Sequence, residues 1–280
     1  MPRFGRRAMV GAIVAGGVMP GLFVRAAAAQ APGMSDPLAA VVEDLVAAGR
    51  ILSNEGTIDA FGHVSARHPA RADRFLMARA RAPALVEAAD IMEFDADGAP
   101  VDAQGRKPYL ERFIHAAVYQ ARPDVGSVIH DHSREVVPFS VSATRLHPMG
   151  HTGGVIGETV PVWDIRERFG SATNMLVSNL AIGRDLAKRL DAGSALLMRG
   201  HGAVVAARTV RLATFTAINL DVQARLQREA MTLGAATPLS PGEVAATAAL
   251  FDPSAPSDSV GRAWEYWCVR AGVPFRPPGA

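Results

Sequence analysis

Two histidines one residue apart close an apolar run, Val128-Ile129-His130-Asp131-His132-Ser133. An Arg-Pro-Asp turn at 122–124 precedes it, and Val125, Val128 and Ile129 read as a buried strand entering a site. A strand turns successive side chains to opposite faces. His130 and His132 therefore point the same way, about 7 Å apart along the chain, and Asp131 points to the other face. Two imidazoles on one rigid face are a common way to hold a borderline divalent metal. A mononuclear centre needs at least a third ligand. His201 is the candidate: it sits between Gly200 and Gly202 after the apolar run Ser194 to Met198, where the backbone can bend closely around whatever the imidazole holds. Alone it would equally well be a structural histidine in a tight turn; with His130 and His132 it reads as the third ligand. Cys268 is the one cysteine, which excludes an internal disulfide and a Cys-rich metal site.

Three neutral imidazoles keep such a site cationic and leave one or two positions for water or substrate. A proton donor or acceptor must then lie nearby. Glu111 fits, at the start of a helix about one helix and a turn before His130; an acid favoured by the helix dipole is the plainer reading of that position. His115, four residues on, is placed to orient the Glu111 carboxylate, with a core histidine as the equal alternative. His151, in the Gly-rich stretch His151-Thr152-Gly153-Gly154, is a second acid/base candidate, and an exposed loop histidine otherwise. His68 and His147 carry no evident role.

The 280 residues are enough for one large domain or two small ones, and 20% charged residues predict a packed core. The formal charge of +2 includes Arg3, Arg6, Arg7 and Arg25; without these four it becomes −2. A chain near neutrality has no basic excess to explain by nucleic acid. Those arginines lie in residues 1–29, which read as an export leader: the Arg6-Arg7 pair, an apolar Gly-rich run from Met9 to Val24 broken by Pro20, then Ala27-Ala28-Ala29 for cleavage. The run is too short and broken for a confident membrane span. The expectation is a twin-arginine signal, a periplasmic mature protein with no stable membrane association, and a single domain over 30–280; a cytoplasmic location is the alternative.

Along that domain, apolar spacing predicts a helix over Pro37–Ser53 and strands ending Gly56–Arg67, over Arg74–Ala78 and over Asp90–Phe94, the last followed by the hairpin turn Asp95-Ala96-Asp97-Gly98. These strands alternate with turns, so the sheet is expected to be largely antiparallel there. Further helices are predicted over Arg112–Gln120, Leu180–Leu190, Val210–Leu233, Glu243–Leu250 and Arg262–Val269. Pro138–His147 reads as helix and turn, His151–Gly154 as a flexible loop, and Val160–Val162, Ser194–Met198 and Ala203–Ala206 as strands. Trp264, Tyr266 and Trp267 read as packing for the last helix.

The ordered set Lys107-Pro108-x-x-Glu111-x-x-x-His115, Arg122-Pro123-Asp124, His130-x-His132-Ser133 and Arg199-x-His201-Gly202 resembles the class II aldolase/adducin family over roughly Pro37 to Leu233. The resemblance implies a three-layer α/β/α fold with a mostly antiparallel sheet, and usually a homotetramer with sites near subunit interfaces. It implies one divalent metal per subunit (Mn2+ or Zn2+, with Fe2+ or Co2+ also compatible) on His130, His132 and His201. Glu111 matches the glutamate that works as acid/base or fills a metal position before substrate arrives.

Sugar-phosphate members bind phosphate through Gly-Asn, a Ser-Gly loop and paired serines. Here those positions hold Gly62-His63, Arg79-Ala80-Arg81-Ala82-Pro83 and Tyr109-Leu110, which lack the small hydroxyls a dianion needs. Arg79 and Arg81, at period two, instead read as a carboxylate clamp or as two solvated surface arginines. His63 reads as a further donor or as a core histidine bonded to backbone, and Tyr109 with Leu110 as an apolar wall for a flat ring. The pattern resembles the branch that decarboxylates hydroxylated aromatic acids through a metal-stabilised enolate or phenolate. An aldolase on a non-phosphorylated hydroxy-keto compound shares most of these residues; an iron oxygenase and a non-catalytic adducin-like module are further alternatives.

Overall fold

The computed structural model describes residues 36–277. The leader expected at 1–29 lies outside the described residues. In chain order the elements are α1 (Pro37–Asn54), β1 (His63–His68), β2 (Arg71–Ala78), β3 (Ile91–Asp95), α2 (Arg112–Ala121), β4 (Ser127–Asp131), α3 (Val137–Ser140), β5 (Val162–Trp163), α4 (Arg166–Phe169), α5 (Leu180–Leu190), β6 (Ala195–Met198), β7 (Gly202–Ala207), α6 (Val210–Leu233), α7 (Pro241–Ala249) and α8 (Ser259–Ala271). The seven strands form one sheet in the order β3-β2-β1-β4-β7-β6-β5. Every neighbouring pair is antiparallel except β5 and β6.

Side-chain alternation builds a core on each face. Val64, Ala66, Ile129, Ala203 and Val205 turn to one face with Leu45, Ile51 and Leu52 of α1, Phe215 and Leu220 of α6, and Trp264 and Trp267 of α8. Val128, Val204, Ala206, Phe75 and Phe94 turn to the other, with Ile114 and Val118 of α2 and Ile182 and Leu186 of α5. With both faces covered, β6 and β7 are apolar throughout, and all residues of Ala195–Met198 and Gly202–Ala207 are buried. The expected α/β/α layering and mostly antiparallel sheet are thus the observed architecture. Helix starts carry their caps: Asp36 accepts from the Leu38 amide ahead of Pro37, and Thr209 from the Leu212 amide, each such cap contributing about 1 kcal/mol.

Three local readings change. The stretch His151–Ile156 is a 3-10 turn packed against α6 and α7, not a flexible loop. A Cβ on Gly154 would lie 2.2 Å from Thr247 Oγ1 and one on Gly153 2.7 Å from the Gln223 amide, so these glycines permit close packing. The helix expected from Pro138 is a single turn, Val137–Ser140. Beyond it the chain is tied to α6, where Gln227 accepts from the His147 amide and donates to the Arg145 carbonyl. The strand bearing His130 ends at Asp131, leaving His132 just past it.

Candidate metal centre

His130 stands on β4, facing α2, and is fully buried. His132 follows the strand end. His201 comes from the β6–β7 turn, which closes through the His201 amide on the Met198 carbonyl at 3.0 Å. That turn requires its glycines: Gly200 has φ +65°, and a Cβ on Gly202 would lie 1.9 Å from the Asp131 carbonyl oxygen. The three rings meet through their Nε2 atoms, His130 to His132 at 3.1 Å and His132 to His201 at 2.9 Å.

The opposite ring nitrogens explain what this arrangement is for. His130 Nδ1 lies 2.9 Å from the Ala203 carbonyl and His201 Nδ1 3.1 Å from the Met175 carbonyl. A carbonyl only accepts, so both Nδ1 atoms carry the proton and both Nε2 lone pairs face inward. His132 Nε2 lies about 3 Å from each, and lone pairs converging so closely are stabilised by a cation among them. Ligands about 2.1 Å from an ion and at right angles to one another are about 3 Å apart. The donor set therefore fits a divalent metal.

Glu111 completes the group; its ligand atoms and those of the three histidines lie within 4.8 Å of one another. It is the first residue of the turn into α2 but caps nothing. Its Oε1 accepts from the Val177 amide at 2.9 Å, and its Oε2 lies 3.4 Å from His130 Nε2 and 3.6 Å from His201 Nε2. The helix-dipole reading is thereby replaced. Burial pushes the Glu111 carboxyl up, but the imidazoles of His130 and His201 and the Val177 amide prevail and hold it at about 2. Burial likewise disfavours charge on His130, yet Glu111 raises it above the usual histidine range. His132 is pushed down to about 4 by burial and by the neighbouring His130 and His201, and His201 is lowered by burial and by His130.

The remaining candidates divide. His63 is cross-strand to His130, its ring 5.1 Å from that ring and 4.7 Å from Tyr109. The Tyr109 hydroxyl donates to the Arg81 carbonyl, and burial raises it to about 12, so it offers the site a ring face. Arg79 and Arg81 do not form an open clamp: their guanidiniums close on the protein's own Asp90, Arg79 Nε at 2.5 Å and Arg81 Nη1 at 2.6 Å. Nor are they simply solvated. His151 is exposed and turns its ring edge-on to Phe251, 5.9 Å between centroids, in the layer of α6 and α7; it does not join the imidazole cluster. His115 bonds His63 and Ser65, so it does not orient Glu111.

Other contributors went unread. Phe61, 64% exposed, stacks on His132 with centroids 5.9 Å apart. A cleft of about 630 Å3 reaches His132 and is lined by Thr57, Asp59, Arg134 and Arg225 among others. Arg134 makes no ion pair among the described residues; its place in His-Asp-His-Ser-Arg was the available signal. Behind the centre, Ser133 Oγ donates to Asp221 on α6 at 2.5 Å while the Ser133 amide donates to Asp131 at 3.0 Å, pinning the segment after His132. Burial raises both carboxyls, and Asp131 raises Asp221 further. The supporting carbonyls of Ala203 and Met175 are backbone groups, which no residue pattern reveals.

Comparison with known proteins bears on this site. A family model described as Class II Aldolase and Adducin N-terminal domain matches residues 43–228. A protein of Talaromyces stipitatus named "Decarboxylase tropJ" is 34% identical over 215 residues, 72% of this chain and 81% of that protein. A 3,4-dihydroxyphthalate decarboxylase of a Terrabacter species is 30% identical over 253 residues, 85% of this chain and 100% of that protein. Among solved structures, L-fuculose 1-phosphate aldolase from Glaciozyma antarctica PI12 shares the fold, with a TM-score of 0.69 at 23% identity over 88% of this chain and 96% of that one.

Proposed function

Because the chain belongs to the class II aldolase and adducin N-terminal domain family, we propose that it is a divalent-metal-dependent lyase that decarboxylates a hydroxylated aromatic carboxylic acid. The observation that carries this is the convergence of three Nε2 atoms beside an ionised Glu111, in a chain similar along most of its length to decarboxylases. His130, His132 and His201 would hold the metal, Mn2+ or Zn2+ by preference, with Fe2+ or Co2+ compatible with the same donors. Bound there, the ion supplies Lewis acidity toward a ring hydroxyl and its ortho carboxylate.

The protein's own groups account for the proton. Glu111 is a carboxylate at neutral pH, so it acts first as a base and takes the ring hydroxyl proton at Oε2. As the ring-carboxylate bond breaks and CO2 leaves, Glu111 returns that proton to the ring carbon. The product phenolate then takes a proton from water. Phe61 over His132 and the Tyr109 ring against His63 offer flat apolar faces. Arg134, beside His132 in the cleft, offers a guanidinium to a substrate carboxylate. Positions 62–63, 79–83 and 109–110 carry no small hydroxyl for a phosphate dianion; His63 Nδ1 is committed to His115 and the Tyr109 hydroxyl to a carbonyl.

Metal analysis followed by a panel of ortho-hydroxy aromatic acids tests this reading. Release of CO2, lost on chelation and restored by Mn2+ or Zn2+, is expected. Release of an aldehyde from a hydroxy-keto compound without CO2 makes the protein an aldolase; strict dependence on O2 makes it an oxygenase. We further propose a homotetramer, to be read by light scattering, and export of residues 30–280 after cleavage of the twin-arginine leader. Recovery of uncleaved chain from the cytoplasm would remove the export proposal. Among the described residues no helix is long and apolar enough to cross a membrane.

A further inference from the structure

Next to the metal centre runs a line of four buried side chains that the chemistry above does not use. Alternation puts His63 and Ser65 of β1 on the same sheet face as His130, under α2. His115 and Tyr119, one helical turn apart on α2, reach down to them. The Tyr119 hydroxyl lies 2.8 Å from Ser65 Oγ, Ser65 Oγ 2.6 Å from His115 Nδ1, and His115 Nε2 2.7 Å from His63 Nδ1. The inner end is closed to water: Ser65 and His115 are fully buried and Tyr119 nearly so. The line is therefore no conduit to solvent, and its content is direction.

Only one direction satisfies every donor. The Tyr119 O–H has one acceptor among the described residues, Ser65 Oγ. Ser65 then donates to His115 Nδ1, His115 donates from Nε2 to His63 Nδ1, and His63 keeps its own proton on Nε2. Reversing the line strands the phenol proton in the core, where an unpaired donor is costly. Nε2 lies on the far edge of the His63 ring from His115. It has no hydrogen-bond partner among the described residues, and the ring borders both His130 and Tyr109.

We propose that Tyr119, Ser65 and His115 are positioning residues that hold His63 as the Nε2–H tautomer, so that it presents an N–H donor beside the metal centre to an anionic oxygen of the substrate. The substrate half rests on the decarboxylase reading; the tautomer half does not. The test uses the zinc-loaded full-length protein carrying 15N-histidine, with His63 assigned by loss of its signals in His63→Gln. Long-range proton–nitrogen spectra are expected to show the His63 proton on Nε2. Ser65→Ala leaves His115 free to reverse, so the proton should move wholly or partly to Nδ1. KM for the ortho-hydroxy acid should then rise about tenfold, as for loss of a charge-assisted hydrogen bond, with kcat and metal content little changed. His115→Gln keeps an N–H donor toward Nδ1 and should restore both, whereas His115→Leu should not. Tyr119→Phe, which removes what enforces the direction, serves if Ser65→Ala fails to fold, and should give a mixture of tautomers. A wild-type His63 protonated on Nδ1, or one unmoved in Ser65→Ala and Tyr119→Phe alike, overturns the proposal even if CO2 is released. If no CO2 is released and the spectra are as expected, only the substrate half falls.

Discussion

Two polar knots of this molecule look alike in composition and differ in what they leave undone. The imidazole cluster draws His130, His132, His201 and Glu111 from three separate segments, and its nitrogens aim at one point where the protein supplies no cation. The arginine pair draws Arg79 and Arg81 onto Asp90, and there each charge meets its opposite at hydrogen-bond distance. The first knot is short of a positive charge and the second is complete. A site is marked by that shortage, since both knots are partly buried and both are rich in ionisable groups.

Breaking the first knot should have the largest effect. His201→Ala removes one donor, so metal content should fall and kcat/KM should drop about a thousandfold, the several kcal/mol that a bound Lewis acid supplies; full activity at stoichiometric metal would count against the centre. Asp90→Asn should do the reverse, leaving metal and KM alone while lowering stability in urea by about 2 kcal/mol, because two guanidiniums lose their partner. A raised KM with unchanged stability would return the arginines to the substrate. Arg134→Ala, the proposed replacement for that clamp, should raise KM about tenfold and leave kcat within about twofold.

The smallest effect is on the acid side. The Asp90 carboxyl is held at about 2, against 3.8 unperturbed; burial raises it, but the Glu87 amide and the two arginines outweigh burial. A depressed carboxyl stabilises the fold at pH above its unfolded value and loses that contribution as pH falls through its folded value. Wild type should therefore lose stability between about pH 4 and pH 2 that Asp90→Asn never had. The difference should be about 1 kcal/mol, less than the full shift implies, because Arg79 is 38% exposed and solvent screens the pair. Parallel acid-denaturation curves for the two proteins would contradict this.

The contrast also shows what could be read from residues alone. The histidine pair was legible because its spacing at the end of an apolar run brings both rings to one site, although His132 stands just past the strand, and His201 because flanking glycines permit close approach. The early strands and the long helices followed from apolar periodicity, with α6 matching its expected span, Val210–Leu233. The arginines were misread because period two puts Arg79 and Arg81 side by side but is silent on their partner; Asp90 sits in a short turn before β3 that no periodicity singles out. Helical spacing left His115 equally a partner of Glu111 and a core histidine; α2 lies on the sheet and turns that residue toward β1, buried. His151 looked catalytic because glycines followed it, and those glycines serve packing against Gln223 and Thr247.

One absent methyl group has a long reach. At Gly202 a side chain would strike the Asp131 carbonyl oxygen at 1.9 Å and the His132 Cα at 2.9 Å, so even alanine there would wedge the β6–β7 turn off the end of β4. His132 and His201 are 69 residues apart in the chain, and the gap between them is gauged by that bare carbon. A spacer of zero length is the hardest kind to adjust, so the two halves of the cradle can tune almost everything around them except the distance at which they meet.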